Sequence, residues 1–117
     1  MLGILAAQDK VLWIKDEYLQ QILAGNKTIE VRVGYSNIVK LQAGQYVRLN
    51  DRYLFQLARV AFYPDFVALL AHEDAAQIAP DLAPEALLAA MRRIYPPEKE
   101  ALGAVALQLE PISSTLA

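Results

Sequence analysis

The chain has 117 residues, of which 56% are hydrophobic and 21% are charged, and it contains one histidine and no cysteine. This composition excludes a disordered chain, a disulfide framework, a cysteine nucleophile and a metal site built from several histidines. The formal net charge of −2 argues against broad, charge-driven binding of nucleic acid. However, residues 1–63 carry eight Lys or Arg against five Asp or Glu, whereas residues 64–117 carry three against eight. We therefore expect any anion-binding surface in the first half.

The length of the chain predicts a single domain over residues 1–117, with an ordered core of about residues 9–111. No stretch of the sequence is long and apolar enough to cross a bilayer, and the apolar residues 1–8 lack the basic start of a signal peptide. We expect a cytoplasmic protein without a membrane partner, a cofactor or a metal. Residues 1–8 are also suited to pairing with a partner strand, so both a monomer and a homodimer are left open.

The first part of the chain predicts a strand, a helix and a second strand. Residues 11–15 form a short β-prone run that holds the only tryptophan, Trp13. A tryptophan there is suited to stack a base, but core or rim packing is the more common role, and we interpret Trp13 that way. Asp16 is suited to begin a helix, Gly25 is suited to end it, and its apolar side contains Tyr18, Leu19, Ile22 and Leu23. Residues 28–33 then alternate strictly, with Ile or Val on one face and Thr, Glu and Arg on the other.

The rest of the chain predicts further strands, then helices, then a last strand. Residues 35–44 read as a loop, residues 45–50 as a strand, and residues 53–63 as a central strand that is covered on both sides or bent by a bulge. Helices are predicted from the spacing of apolar residues after position 65 and again from Pro84. The closing strand carries alternating apolar residues at Val105, Leu107 and Leu109. This order favours a small α+β barrel over a parallel sheet.

The segment from Gly25 to Arg32 carries the most chemistry. Its pattern G-x-K-T-x-E-x-R combines the point charge of Lys27 with the planar fork of Arg32, and both suit phosphate or carbonyl oxygens. Glu30 lies between them, where it can orient Arg32 or accept hydrogen bonds from the amino group of a base. On chemistry alone, a solvated strand face with cross-strand pairs is the stronger interpretation.

This pattern resembles the motif of the ASCH domain, a branch of the PUA-like β-barrels. Residues 41–45 (L-Q-A-G-Q) resemble a strand entry of that family, residues 63–70 resemble its aromatic Y-x-x-F-x-x-L-L stretch, and residues 95–107 resemble its closing helix and strand. The resemblance covers about residues 11–110. It implies an α+β fold, a small PUA-like β-barrel with a helix after the first strand and short helices before the last strand.

Members of the ASCH family are generally thought to bind RNA or nucleotides. The resemblance therefore implies RNA, a nucleotide or a nucleoside as the partner, bound in a cleft beside the motif strand. Carried over by position, Lys27, Thr28, Glu30 and Arg32 are the expected binding residues, and Lys27 and Arg32 are expected to grip the ligand's oxygens. Tyr63 joins this set because the resemblance puts it near a landmark of the barrel, where it is suited to stack a base.

A bacterial subgroup of ASCH proteins implies an enzymatic alternative, the deacetylation of N-acetylated cytidine. Its strand reads G-x-K-T-I-T-x-R, and its lysine, second threonine and a later glutamate are catalytic. Here Lys27 matches the lysine, Glu30 stands in place of the nucleophilic threonine, and Thr28 matches the earlier, non-catalytic threonine. The later glutamate falls near Pro80, or in a shifted alignment at Glu73, Asp74 or Asp81. If the protein is an enzyme, Lys27 and Glu30 would activate a water. A metal-free ribonuclease is a further alternative.

Two other residues have simpler interpretations. His72 lies near the end of a predicted short helix beside two acidic residues, and we interpret it as a solvated helix-end residue. Arg59 lies on the predicted central strand, where a paired surface charge is the expected role.

Overall fold

A computed structural model describes residues 10–112 of the chain. It contains five strands: β1 (Lys10–Leu12), β2 (Ile29–Val33), β3 (Tyr46–Leu49), β4 (Tyr53–Tyr63) and β5 (Ala104–Pro111). It also contains six helices: α1 (Asp16–Leu23), α2 (Ser36–Val39), α3 (Phe66–His72), α4 (Ala75–Ile78), α5 (Pro84–Ile94) and α6 (Pro97–Glu100). Within this part of the chain, no helix is long and apolar enough to cross a membrane.

The five strands form one sheet in the order β1-β3-β4-β5-β2. Strands β1 and β3 are parallel, and the other three pairings are antiparallel. The sheet curls into a half-barrel, so the α+β class predicted from the sequence is confirmed. The predicted small β-barrel is observed as a half-barrel, in which β1 and β2 are the two edges of the sheet.

Apolar side chains cover both faces of the sheet, and strand β5 shows how. Val105, Leu107 and Leu109 lie in a core cluster with residues of α1, while Ala104 and Ala106 lie in a second cluster with residues of α3, α4 and α5. This two-sided burial follows from the period of two in a strand. The core therefore has two layers, one on each side of the sheet.

Two local features of the sheet refine the predictions. Strand β4 contains a register shift between Leu57 and Arg59, which confirms the predicted bulge. The segment predicted as a loop over residues 35–44 is not wholly irregular, because it contains α2, whose Ile38 is buried in the core. A single turn of helix with one apolar anchor is too short to leave a clear periodic signal in the sequence.

Candidate functional site

A cleft of about 250 Å³ lies beside β2. One wall comes from the segment that joins β1 to α1, which includes Trp13, and from Tyr18 of α1. The other wall comes from α4, α5 and the residue after α5, and includes Ile78, Met91 and Tyr95. The floor is formed by the motif residues Lys27, Glu30, Val31 and Arg32. The cleft thus has largely apolar walls and a polar floor, which is the usual composition of a small-ligand site.

Lys27 is the buried end of the polar floor, with only 5% of its surface exposed. Its Nζ donates to the carbonyl oxygens of Ile29 at 2.7 Å and Ile78 at 2.8 Å, and lies 3.2 Å from Oε1 of Glu30. A lysine ammonium has three donors, so these three acceptors account for all of them. Lys27 therefore ties β2 to the end of α4 and keeps no donor for a ligand.

The charge of Lys27 depends on Glu30. Burial lowers the pKa of Lys27 below its ordinary value of 10.5, whereas the charge and the hydrogen bond of Glu30 act to raise it. The nearby charge of Arg32 also acts to lower that pKa. A buried ammonium is stable only when an opposite charge and hydrogen bonds compensate its lost hydration, and Glu30 supplies both.

Arg32 extends this set of contacts toward the mouth of the cleft. Its Nε donates to Oε2 of Glu30 at 2.7 Å, and its Nη2 donates to the backbone oxygen of Trp13 at 2.8 Å. These bonds use two of the five N–H donors of the guanidinium, and the two Nη1 donors have no partner among residues 10–112. Arg32 therefore keeps donors for a ligand, and the exposed Lys15 is another basic residue that lines the cleft.

Trp13 stands at the mouth of the cleft with 68% of its surface exposed. Its interpretation as a core residue is wrong, and its packing role is confined to the rim. The backbone around it is held on both sides. Arg32 binds the carbonyl of Trp13, and the side-chain amide of Asn50 bonds the N–H of Ile14 at 2.7 Å and its carbonyl at 2.9 Å. An exposed indole on a fixed backbone is a good platform for a flat ligand.

The ASCH-domain family model matches residues 12–113 of the chain. The chain belongs to the ASCH domain family. This confirms the resemblance that the motif indicated.

Two solved structures are similar to this ASCH domain. One is the crystal structure of the hypothetical protein PH0355, with 24% identity and a TM-score of 0.84, covering 90% of this chain and 100% of that chain. The other is the solution NMR structure of protein PF0455 from Pyrococcus furiosus, with 23% identity and a TM-score of 0.75, covering 91% and 99%. At these identities the likeness shows the fold alone. No curated protein matches the sequence.

The structure groups part of the predicted ASCH site and separates the rest. Lys27, Glu30 and Arg32 converge in the cleft, but Thr28 does not line it. The Thr28 hydroxyl donates to the Gln77 side chain at 2.8 Å, and the residue borders a separate depression of about 560 Å³. That depression is lined mainly by residues of α1, β4 and β5, and neither Glu30 nor Arg32 borders it.

Tyr63 also lies away from the cleft, in a cluster on β4 and α3. Its hydroxyl donates to Glu73, and its ring stacks on His72 with ring centres 5.7 Å apart. Arg59 binds both oxygens of Glu73, at 2.6 and 2.8 Å, and that hydrogen bonding is the main reason why the pKa of Glu73 is lowered. Arg59 is thus a paired charge, as predicted. Glu73 directly follows the last residue of α3 and is the partner of Arg59. Nothing in the sequence indicated that its side chain would be buried.

The positions considered for a second catalytic carboxylate do not reach the ASCH cleft. Glu73 is bound by Arg59, Asp74 caps α4 by accepting from the N–H of Ala76, and Asp81 accepts from the Gln21 side chain. Among residues 10–112, Glu30 is the only carboxylate that lines the cleft. Within the same range, no three His, Cys, Asp or Glu residues lie together as a metal site requires. The predicted interaction arm, residues 1–8, lies outside the described residues.

Proposed function

We propose that this ASCH domain binds a nucleotide, or one unpaired nucleotide of an RNA, in the cleft beside β2. The observation that carries the proposal is the exposed indole of Trp13, on a backbone held by hydrogen bonds, at the mouth of an apolar-walled cleft. Bases stack on such aromatic platforms in proteins that bind single strands. The cleft volume of about 250 Å³ is near the lower end of ligand sites, so it suits one base and not a duplex.

Arg32 supplies the polar contact in this proposal. Its Nη1 donors face no protein acceptor within residues 10–112, and a guanidinium fork matches phosphate and carbonyl oxygens. Glu30 holds that fork in place through its 2.7 Å contact with Nε. Lys27, which the sequence suggested as a second gripping residue, supports the floor from beneath because its three donors are already used.

Binding is better supported than the hydrolytic alternatives. A general base needs a free lone pair to accept a proton, and the Nζ of Lys27 is an ammonium that donates to three acceptors. Both oxygens of Glu30 contact cations, and Glu30 stands where the deacetylating subgroup has its threonine nucleophile. The lowered pKa of Lys27 suits a general base, but burial accounts for it, and the three acceptors around Nζ hold the protonated form.

Because Trp13 is the only tryptophan, its fluorescence reports on the proposed site directly. We would titrate the protein with the four ribonucleoside 5′-monophosphates and with a short unstructured RNA, following quenching. We expect saturable quenching for at least one ligand. Arg32→Lys should weaken binding about tenfold, because a point charge replaces the fork. Lys40→Gln, a change at an exposed lysine away from the cleft, is the matched control and should bind normally.

The salt dependence separates this proposal from general attraction to RNA. One or two phosphate contacts predict a slope of log K against log salt of about −0.7 to −1.4. No quenching by any ligand, or quenching that Arg32→Lys leaves unchanged, would refute the site. Chromatography after incubation with N-acetylated cytidine tests the enzymatic alternative, for which turnover that Lys27→Met abolishes would be the supporting result.

A further inference from the structure

The cleft faces the edge of β2 and not one of its faces. Glu30, Val31 and Arg32 are consecutive and all three line the cleft. Successive side chains of a strand point to opposite faces, so a cavity above one face would meet only alternate residues. A cavity that meets all three must lie at the side of the strand, where the backbone itself is presented.

The backbone groups that point to this side follow from the pairing with β5. The carbonyl of Thr28 accepts from the N–H of Leu109 at 2.8 Å, and the N–H of Gly34 donates to the carbonyl of Gly103 at 2.9 Å. In an antiparallel strand a residue presents its N–H and C=O on one side, and the side alternates along the chain. Even-numbered residues of this segment therefore face β5, and the free edge is formed by Ile29, Val31 and Val33.

Two of the three outward carbonyls already have donors. The carbonyl of Ile29 accepts from Nζ of Lys27 at 2.7 Å, and that of Val33 accepts from the N–H of Tyr35 at 2.8 Å. Val31, between them, keeps both its N–H and its C=O without a partner among residues 10–112. The floor of the cleft thus presents one donor and one acceptor from a single residue.

We propose that the N–H and C=O of Val31 hydrogen-bond the Watson–Crick edge of the bound nucleobase, while Trp13 stacks on the base at the mouth of the cleft. This inference rests on the proposed function. Every nucleobase carries an adjacent donor and acceptor on that edge. The contact therefore distinguishes a free edge from a paired one and discriminates less among the four bases. The cleft then accepts unpaired bases and rejects paired ones, whose edges are occupied.

The same geometry argues against an extended peptide as the occupant. Strand addition needs a run of unpaired N–H and C=O groups along a sheet edge. Here Lys27 closes the carbonyl on one side of Val31 and Tyr35 closes the one on the other side. A lysine at an edge is a common way in which proteins prevent strand addition. Among the three edge residues, only Val31 keeps both its N–H and its C=O open, which favours a short, flat partner over an added strand.

Edge-methylated nucleotides test the inference. For each 5′-monophosphate that binds, the comparison is with an analogue that loses the edge contact but keeps the ring and the phosphate: 3-methyluridine, N4,N4-dimethylcytidine, N6,N6-dimethyladenosine or 1-methylguanosine monophosphate. We expect at least about a tenfold loss, because the methyl group also leaves a backbone group of Val31 desolvated and unpaired. For uridine, the control is 5-methyluridine monophosphate, whose methyl group lies off the edge and should change affinity little.

A change in the protein tests the same contact from the other side. Val31→Pro removes an N–H that makes no bond in the sheet, and edge strands tolerate proline at such positions. Val31→Ala shortens the side chain and keeps the N–H. We expect Val31→Pro to lose binding about tenfold and Val31→Ala to stay within about threefold of the wild type. If Val31→Pro does not fold, NMR of the wild type replaces it, and we expect a pronounced downfield shift of the Val31 amide proton on adding the nucleotide.

The outcomes separate the two proposals. Binding that edge methylation does not weaken, or a Val31 amide that does not shift, overturns the edge contact and leaves nucleotide binding intact. Absence of binding by all four 5′-monophosphates and by the short unstructured RNA refutes the proposed function itself, and the edge contact with it.

Discussion

Replacing Glu30 by glutamine tests the polar floor of the cleft directly. The carboxylate is largely buried, with 13% of its side chain exposed, and its two oxygens contact Nζ of Lys27 at 3.2 Å and Nε of Arg32 at 2.7 Å. A glutamine has one acceptor oxygen and one NH₂ group, so in Glu30→Gln one of the two cations would face a donor. The substitution keeps the size of the side chain and removes only the charge and one acceptor.

The expected cost follows from these two contacts. A hydrogen bond to a charged group contributes about 1.5–3 kcal/mol, and the longer contact with Lys27 falls at the lower end of that range. Lys27 keeps its two carbonyl acceptors, which limits the penalty of leaving its charge buried. We expect Glu30→Gln to lower the free energy of unfolding by about 2–4 kcal/mol at neutral pH. The melting temperature should fall by roughly 10 °C.

The pH dependence of this loss identifies its cause. Burial already lowers the pKa of Lys27 below 10.5, and Glu30 acts against that shift, so Glu30→Gln should lower the pKa further. A lysine whose pKa is lower in the folded state binds fewer protons there than in the unfolded chain. The stability of the variant should therefore rise, relative to the wild type, as the pH increases from the lowered pKa toward 10.5.

Urea denaturation followed by circular dichroism, from neutral to alkaline pH, measures both effects. Glu98→Gln, at a carboxylate on the exposed helix α6, is the control and should stay within about 0.5 kcal/mol of the wild type. If Glu30→Gln were as stable as that control, or if its deficit did not change with pH, Glu30 would not be the group that keeps the Lys27 ammonium buried.

Three further substitutions test the fold around the site. Glu73→Gln should lower the free energy of unfolding by about 1–3 kcal/mol at neutral pH. The bond from Arg59 lowers the pKa of Glu73 below 4.5, so its stabilising effect is lost as the pH falls through that lowered pKa, and the difference from the wild type should disappear in acid. Urea titrations from pH 7 downward measure this. Gly34→Ala would put a Cβ 2.3 Å from the carbonyl oxygen of Leu102, so thermal unfolding should reveal a loss of about 2–3 kcal/mol, and a neutral effect would contradict the close approach. Leu107→Ala, in the middle of the sheet with no exposed surface, should cost about 2–5 kcal/mol in urea, and less than 1 kcal/mol would argue against its central position.

The sequence predicted the parts of the fold that depend on local periodicity. Strict alternation over residues 28–33 indicated β2 and separated Glu30 and Arg32 from the apolar face, and apolar spacing indicated α1 and α5. The position of Trp13 could not be predicted this way. The backbone around it is held by Arg32 of β2 and by Asn50 in the turn after β3, both distant in sequence.

The site shows the same division between local and tertiary information. The motif identified Lys27, Glu30 and Arg32, which do converge, but spacing alone gave no reason to separate Thr28 from them. The partner of Thr28 is Gln77, which α4 brings to it from 49 positions away. Likewise, the carbonyl of Ile78 that uses up a donor of Lys27 comes from a helix with no fixed offset from the motif. Which groups remain free for a ligand is a tertiary property.

The bonds of Lys27 also bear on how fast a ligand can enter. The ammonium of Lys27 joins the carbonyl of Ile29 on β2 to the carbonyl of Ile78 in the wall. These bonds set the width of the cleft before any ligand binds. A preorganised site loses little conformational entropy on binding and needs no rearrangement beforehand. The binding signal should therefore follow a single exponential. Its observed rate constant should rise linearly with ligand concentration, without the plateau that a slow opening step would impose.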